Sequence, residues 1–311
     1  MNPAFSVVAF TVLAGAAQGL VVALALAVLA GISMSAEFLS RGLFVAVMLL
    51  VGGLGASFMH LGRPERAWRA AMRWRTSWLS REVIILPTFI GLVAIWWMAP
   101  HASEAAFLQR VLMPGAAFVL AALLWYCTAM IYACLRFVEE WAHPLTLVNF
   151  VLLGLSSGFV LASALAVFAG DSAFLTASGP TAIALTLTAW ATRVTAIRRN
   201  AGIRHRSTLQ TATGVGSSHL LQTSMGMSAG SFNTREFFHH VSRMALQRIR
   251  LAAIGLAFMA PLAAMLMAWL GPWSSLWEIA FLLQLPGLIA DRWYFFAQAK
   301  HPQNLYYQVV S

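Results

Sequence analysis

The sequence has 311 residues, 60% of them hydrophobic and 10% charged, with a formal net charge of +10. Soluble domains carry about 25% charged residues, so the composition excludes an ordinary soluble protein and places the chain in a lipid bilayer. The positive balance is first a determinant of membrane orientation and a surface for anionic lipid headgroups, and only then a candidate footprint for other acidic partners.

A bilayer core requires roughly 20 apolar residues per helix. Runs of that kind predict spans at about 4–32, 42–60, 83–99, 111–135, 145–169, 180–197, 250–270 and 274–296. The first run exceeds the apolar region of a signal peptide, about 7–15 residues, and has no basic stretch before it, so it is expected to stay in the mature chain. Cys127 and Cys134 share one apolar run and read as small buried hydrophobes, neither a disulfide nor a metal pair. The sixth run is the most polar, with Thr186, Thr188, Thr192, Arg193 and Thr195 in its second half.

An even number of spans puts both termini on one side, with the connections 60–82, 136–144 and 197–249. Of the 20 Lys and Arg residues, all but Arg41 and Arg110 fall on that side. The positive-inside rule makes it cytoplasmic. The expected fold is therefore all-α and integral to the membrane: a single membrane domain, 1–311, with eight transmembrane helices, N-in and C-in. A short interfacial helix follows the second span, and a long cytoplasmic loop, 197–249, lies between spans six and seven. Helix connections usually run about 2–8 residues. A loop as long as 197–249, with "SSHLLQTSMGMSAGSFNTREFFHH" at its centre, suits a docking surface.

The chain has no phosphate-binding loop, paired-cysteine motif or dinucleotide fingerprint. Any iron–sulfur cluster must belong to a partner. No histidine falls in the middle of a span, so no haem is expected. Polar groups in or at the edges of spans are few: Gln18, Glu82, Asn149, Gln284, Asp291 and Arg292. Gln18 and Gln284 read as interhelical hydrogen-bonding groups. Asp291 and Arg292 are adjacent and do not face each other on a helix, so each needs a partner of its own.

The stretch "HLGRPERAWRAAMRWRTSWLSREV", residues 60–83, concentrates arginine and tryptophan between two apolar runs. His60 ends the second run and Glu82 opens the third, so the connection returns both to one membrane depth. Two readings fit. A histidine and a carboxylate at an interface suit the two oxygens of a quinone ring and the protons that accompany its electrons. Equally, they could be a buried His–Glu contact, or Glu82 could pair with Arg81 or a neighbour. Between them, the spacing of Trp68, Met72 and Arg75 and of Arg66, Arg69 and Arg73 predicts a short amphipathic helix in the interface, with Trp74 and Trp78 as headgroup anchors. Its arginines serve lipids or an acidic protein face equally well.

The segment "MHLGRPERAWRA…SWLSREV" closely resembles the signature of the DMSO reductase anchor subunit family, the membrane component of molybdopterin oxidoreductases. "IYACLRFVEEWAHPLTLVNF" after the fourth run and "DRWYFF" closing the eighth extend the likeness. The resemblance implies a chain that binds quinone, menaquinone or ubiquinone, and carries neither haem nor metal. Its implied partners are an iron–sulfur subunit and, beyond it, a molybdopterin catalytic subunit, which alone hold the clusters and the molybdenum cofactor. It implies a quinone-binding and proton-exchanging role for His60 and Glu82, and Trp78, Ser80 and Arg81, beside Glu82 in sequence, are candidates for the surrounding pocket. Partner docking is expected at Arg63, Arg66, Arg69, Arg73, Arg204, Arg206, Phe232, Arg235, Phe237 and Phe238. The long loop and the cytoplasmic docking face are similar to the branch associated with sulfite oxidation, in a bacterial inner membrane. A reductive substrate such as dimethyl sulfoxide would run the electrons the other way. Of the competing classes, a transporter needs a chain of ionisable or polar residues across the bilayer centre, where this sequence is almost dry, and a ligand-free structural anchor would leave quinone chemistry elsewhere.

Overall fold

The computed structural model describes residues 1–59, 61–99, 107–224, 234, 237–239 and 241–307. Among them the regular structure is helical and no strand occurs. The long helices are α1 (Phe5–Leu29), α2 (Ala36–Phe58), α3 (Trp78–Met98), α4 (Met113–Ala133), α5 (Pro144–Ala169), α6 (Ser172–Ala201), α7 (Arg243–Leu270) and α8 (Leu276–Ala297). A π-helical turn, Leu108–Leu112, leads into α4, and another, Gly255–Met259, interrupts α7. Six of these helices are long and apolar enough to cross a membrane: α1, α2, α3, α4 with its leading turn, α5 and α7. α6 and α8 are of similar length, 30 and 22 residues, but carry the threonines, Arg193, Asp291 and Arg292.

Helix starts follow local capping chemistry. The side chains of Ser35, Ser77, Asp171 and Ser242 accept backbone N–H bonds at the first turns of α2, α3, α6 and α7, satisfying donors that a helix leaves open. His143 Nδ1 does the same for α5, accepting from Leu145 N at 3.2 Å ahead of Pro144. Asp171 also accepts from Ser35 N at 3.0 Å, tying the start of α6 to the start of α2.

α1 and α5 form the centre: 72% of the most apolar stretch of each is buried, against 28–39% for the other four apolar helices. They meet through glycines. A Cβ on Gly158 would lie 2.0 Å from Gly19 C, and one on Gly19 would lie 1.9 Å from Gly154 O. Only bare backbones fit there. Lipid tails are as apolar as leucine, so helices gain little from hydrophobic sequestration and rely on such close packing and on interhelical hydrogen bonds. The latter join α5 to α6 through Ser156–Thr186 at 2.8 Å and Ser163–Ser178 at 2.9 Å. Gln18 donates to Ala121 O at 3.1 Å, and Gln284 donates to Ser156 Oγ at 3.0 Å, as interhelical contacts of the kind expected for both.

Two expectations change. Cys127 is buried, but Cys134 caps the end of α4 and is exposed, so only the first behaves as a core hydrophobe; both are free. The sixth helix begins eight residues earlier than its apolar run, because Asp171 caps it and small residues continue the helix into the threonine-rich half.

Candidate functional site

The first turns of α3 pack on the last turns of α4. Ser77 caps α3, which puts Glu82 in its second turn and turns the carboxylate inward, with 5% of the residue exposed. Thr128 of α4 donates its hydroxyl hydrogen to Glu82 Oε1. Among the described residues no cation pairs with Glu82. Arg81 turns away from it: Nε donates to Trp74 O at 2.9 Å, a terminal nitrogen donates to Arg75 O at 3.0 Å, and the guanidinium lies 4.1 Å from the centroid of the Trp78 ring. The reading that paired Glu82 with Arg81 is thereby replaced by the Thr128 contact. Trp78 meets Tyr126 edge to face at 5.2 Å, so an aromatic pair borders the same helix junction, and Ser80 is 3% exposed. His60 lies outside the described residues, and its meeting with Glu82 stays an expectation.

The connection from α2 to α3 contains a 3-10 helix, Pro64–Arg73, with no buried residue. Arg63, Arg66, Arg69 and Arg73 are exposed on and beside it, as are Trp68, Met72 and Trp74. Cations and large apolar groups share one short amphipathic element. Arg204 and Arg206 are exposed beyond α6, Arg206 donating its backbone N–H to Glu139 Oε1 at 2.8 Å.

The loop aromatics Phe237 and Phe238 pack within the chain. Phe237 stacks on His301 at 4.1 Å, and Phe238 is buried against Tyr307. Their rings fasten the loop to the segment after α8, helped by Asn304 donating to Phe237 O at 3.1 Å and by Tyr306 donating to Ala212 O at 2.9 Å. Phe232 and Arg235 lie outside the described residues. Between the loop and that segment is a cavity of about 640 Å³, bordered by Arg243, Lys300, His205 and His301.

A profile described as "DMSO reductase anchor subunit (DmsC)" matches residues 1–298. The chain belongs to the DMSO reductase anchor subunit family. It is 47% identical to a sulfite dehydrogenase subunit of Allochromatium vinosum over the whole length of both chains. It is also 31% identical to the anaerobic dimethyl sulfoxide reductase chain YnfH of Escherichia coli, across 40% of this chain and 44% of that one. As a member of this anchor family it is a helical, multi-pass membrane protein.

Within this anchor subunit, Thr128 and Tyr126 are the site residues that sequence reasoning missed. Their only signal was a short polar cluster, "WYCTAMIY", inside an otherwise apolar helix. Nothing in it pointed to α3 as the neighbour. Among the described residues no group of histidine, cysteine and carboxylate side chains is arranged to hold a metal ion.

Proposed function

We propose that this chain is the quinone-binding anchor of a molybdopterin and iron–sulfur oxidoreductase, exchanging electrons between a cytoplasmic iron–sulfur subunit and the membrane quinone pool. The observation that carries the reading is the Glu82 carboxylate. It is buried at one end of a membrane helix, held by a single hydroxyl, without a cation among the described residues, beside an arginine-rich connection. Burying a carboxylate that only neutral groups accompany is expensive. Within or at the edge of a membrane such a group calls for a functional explanation.

The bound ring would supply reversible uptake of two electrons together with two protons. For that chemistry Glu82 holds and releases a proton, and Thr128 orients the carboxylate through its hydroxyl. His60 is assigned the opposite oxygen of the ring. Trp78, braced by Arg81 and Tyr126, forms an apolar wall, and Ser80 offers a further hydroxyl.

All eight long helices, α6 and α8 included, are taken as spans over the single domain 1–311, with both termini and the arginine-bearing connections in the cytoplasm of a bacterial cell. Polar helices can cross when their charged groups pair inside the bundle, and α6 and α8 pair theirs through Arg193 and Asp291. The exposed arginines of the 3-10 helix, with Arg204, Arg206 and the loop cavity, form the docking face for the iron–sulfur subunit, behind which the molybdopterin subunit sits. The direction favoured is quinone reduction during sulfite oxidation, because the full-length likeness is to a sulfite dehydrogenase subunit, whereas the likeness to a dimethyl sulfoxide reductase chain is partial.

The test is a pair of variants, Glu82→Gln and His60→Gln, in the assembled complex. Each is expected to reduce sulfite-driven quinone reduction by at least about a hundredfold, the scale of a lost general acid or base, while reduction of a soluble dye from the catalytic subunit stays at the parent rate. Unchanged quinone kinetics in both would overturn the assignment.

A further inference from the structure

The cavity between the long loop and the segment after α8 has a volume of about 640 Å³, within the range of about 300–1,000 Å³ typical of binding pockets. Three separate stretches of chain build it. Phe137 and Glu139 come from the connection before α5, Phe237, Arg243 and Leu246 from the loop and the first turn of α7, and Lys300 and His301 from the segment after α8. The loop and that last segment are fastened together around it. Asn304 donates to Phe237 O at 3.1 Å, Tyr306 to Ala212 O at 2.9 Å, and Gln222 Nε2 to Tyr306 O at 2.6 Å. A preformed pocket spares the cost of ordering its walls when something binds.

One wall is aromatic. The Phe237 ring lies flat on His301, with centroids 4.1 Å apart and planes 11° apart, and Phe137 meets the same imidazole edge to face at 5.3 Å. Burial, and then the nearby N-terminal amino group, hold the His301 pKa below its ordinary 6.5, so the platform is uncharged at neutral pH. Positive charge comes from Arg243 and Lys300. Both are exposed on the border, and neither side chain forms an ion pair or hydrogen bond among the described residues. Glu139, the acid among the described border residues, already accepts from Arg206 N at 2.8 Å, and His205 lies 3.6 Å from Glu140. Negative charge for Arg243 and Lys300 must therefore come from outside the described chain.

The cavity stands beyond the hydrocarbon. α7 has 28 residues, about 42 Å at a rise of 1.5 Å per residue, against a bilayer core of about 30 Å. Its first turns carry Arg243, Arg248 and Arg250. An acyl chain seated here would have to leave the bilayer, and a small inorganic anion would leave the aromatic wall uncovered. We propose that the cavity receives a segment of the iron–sulfur subunit that carries a carboxylate beside a large apolar side chain. The carboxylate faces Arg243 and Lys300, and the apolar group covers the platform of Phe137, His301 and Phe237. This rests on the reading of the chain as the anchor of an iron–sulfur subunit. Aromatic and arginine anchors dominate interface energies, and complementary charge selects the partner. The rim arginines then steer the approach, and the cavity seats the partner.

The experiment introduces a photoreactive benzophenone side chain in place of Leu246 in the assembled complex, followed by illumination and mass spectrometry of the cross-linked peptides. The expected product is one peptide of the iron–sulfur subunit with Asp or Glu close to an aromatic or large aliphatic residue. Arg243→Glu combined with Lys300→Glu is expected to speed release of that subunit on dilution by at least about tenfold, the lower range for a close charge pair across an interface. Changing the carboxylate of the cross-linked peptide to lysine is expected to restore slow release in that variant. Cross-links confined to this chain, to lipid or to another subunit, with the iron–sulfur subunit still co-purifying, overturn the cavity assignment and leave the anchor reading standing. Release at the parent rate in the charge-reversal variant overturns it as well. An assembly that purifies without an iron–sulfur subunit overturns both.

Discussion

Thr128 of α4 donates a hydrogen bond to Glu82 of α3, and both side chains are buried in the contact between the two helices. The bond spans 46 positions in sequence, so it exists only because the two helices pack. One hydrogen bond contributes on the order of 1 kcal/mol net, equivalent to about a fivefold change in rate. Thr128→Val should therefore lower quinone-linked turnover several-fold, and Thr128→Ser, which restores the hydroxyl, should recover it. Steady-state quinone reduction with the dye assay as control measures this. Equal rates in the two variants would remove Thr128 from the site.

The α1–α5 contact should tolerate no added carbon. Gly158→Ala puts a methyl group 2.0 Å from Gly19 C, in a place bounded by backbone and not by flexible side chains. Forcing extra atoms into a packed core costs roughly 1–3 kcal/mol, and a backbone-on-backbone overlap belongs at the upper end. Gly91→Ala and Gly115→Ala, where nothing lies within 4 Å, are the controls and should leave stability unchanged or slightly raised. Thermal unfolding of the purified complex, read by loss of assembled particles, separates the three.

Removing one partner of the Arg193–Asp291 pair leaves an uncompensated buried charge, which costs about 3–5 kcal/mol. Asp291→Leu alone should markedly lower the thermal midpoint. Arg193→Met combined with Asp291→Leu should recover most of the loss, because neither charge is then left behind. A double variant no more stable than the single one would show that the pair does something besides neutralise itself.

His143 supplies a pH dependence outside the membrane spans. Burial, and then the nearby Arg199 charge, lower its pKa from the ordinary 6.5, while its Nδ1 caps α5 by accepting from Leu145 N. A base whose folded-state pKa is depressed binds fewer protons folded than unfolded, so stability from this group is whole above about pH 6.5 and is lost as pH falls through the lower folded value. Protonation also removes the acceptor that forms the cap. Hydrogen exchange at the Leu145 amide should accelerate on acidification beyond the intrinsic pH trend, and His143→Asn, which caps without titrating there, should abolish that excess.

The rim arginines should act mainly through long-range charge. Replacing Arg63, Arg66, Arg69 and Arg73 together with serine is expected to weaken capture of the iron–sulfur subunit at low salt and to flatten the salt dependence of that capture, since exposed charges are screened within about 10 Å at 0.1 M salt. Co-purification across a salt series measures it. An unaltered salt slope would assign those arginines to lipid headgroups.

Much of the site is legible in the amino-acid sequence because hydrophobic runs and basic punctuation are local properties. Glu82 stands out as a carboxylate at the edge of an apolar run. Thr128 does not, since a threonine in an apolar helix is ordinary until something charged lies against it. The packing of Phe237 and Phe238 is hidden for a related reason: aromatics in a long loop find ring partners only when a distant segment, here His301 to Tyr307, folds against them.

By itself, then, the sequence determined membrane residence, the approximate order and placing of the long helices though not their starts, and the family signature around residues 60–83, because each depends on composition and near-neighbour spacing. Tertiary structure alone decided which buried polar groups meet: Glu82 with Thr128, Arg193 with Asp291, Arg292 with the Phe150 ring. In an environment without water a hydroxyl can bond back to its own helix, as Ser157 and Thr186 do, but a charged side chain needs a partner on another helix, and which helix that is depends on how close the glycine-lined backbones can come.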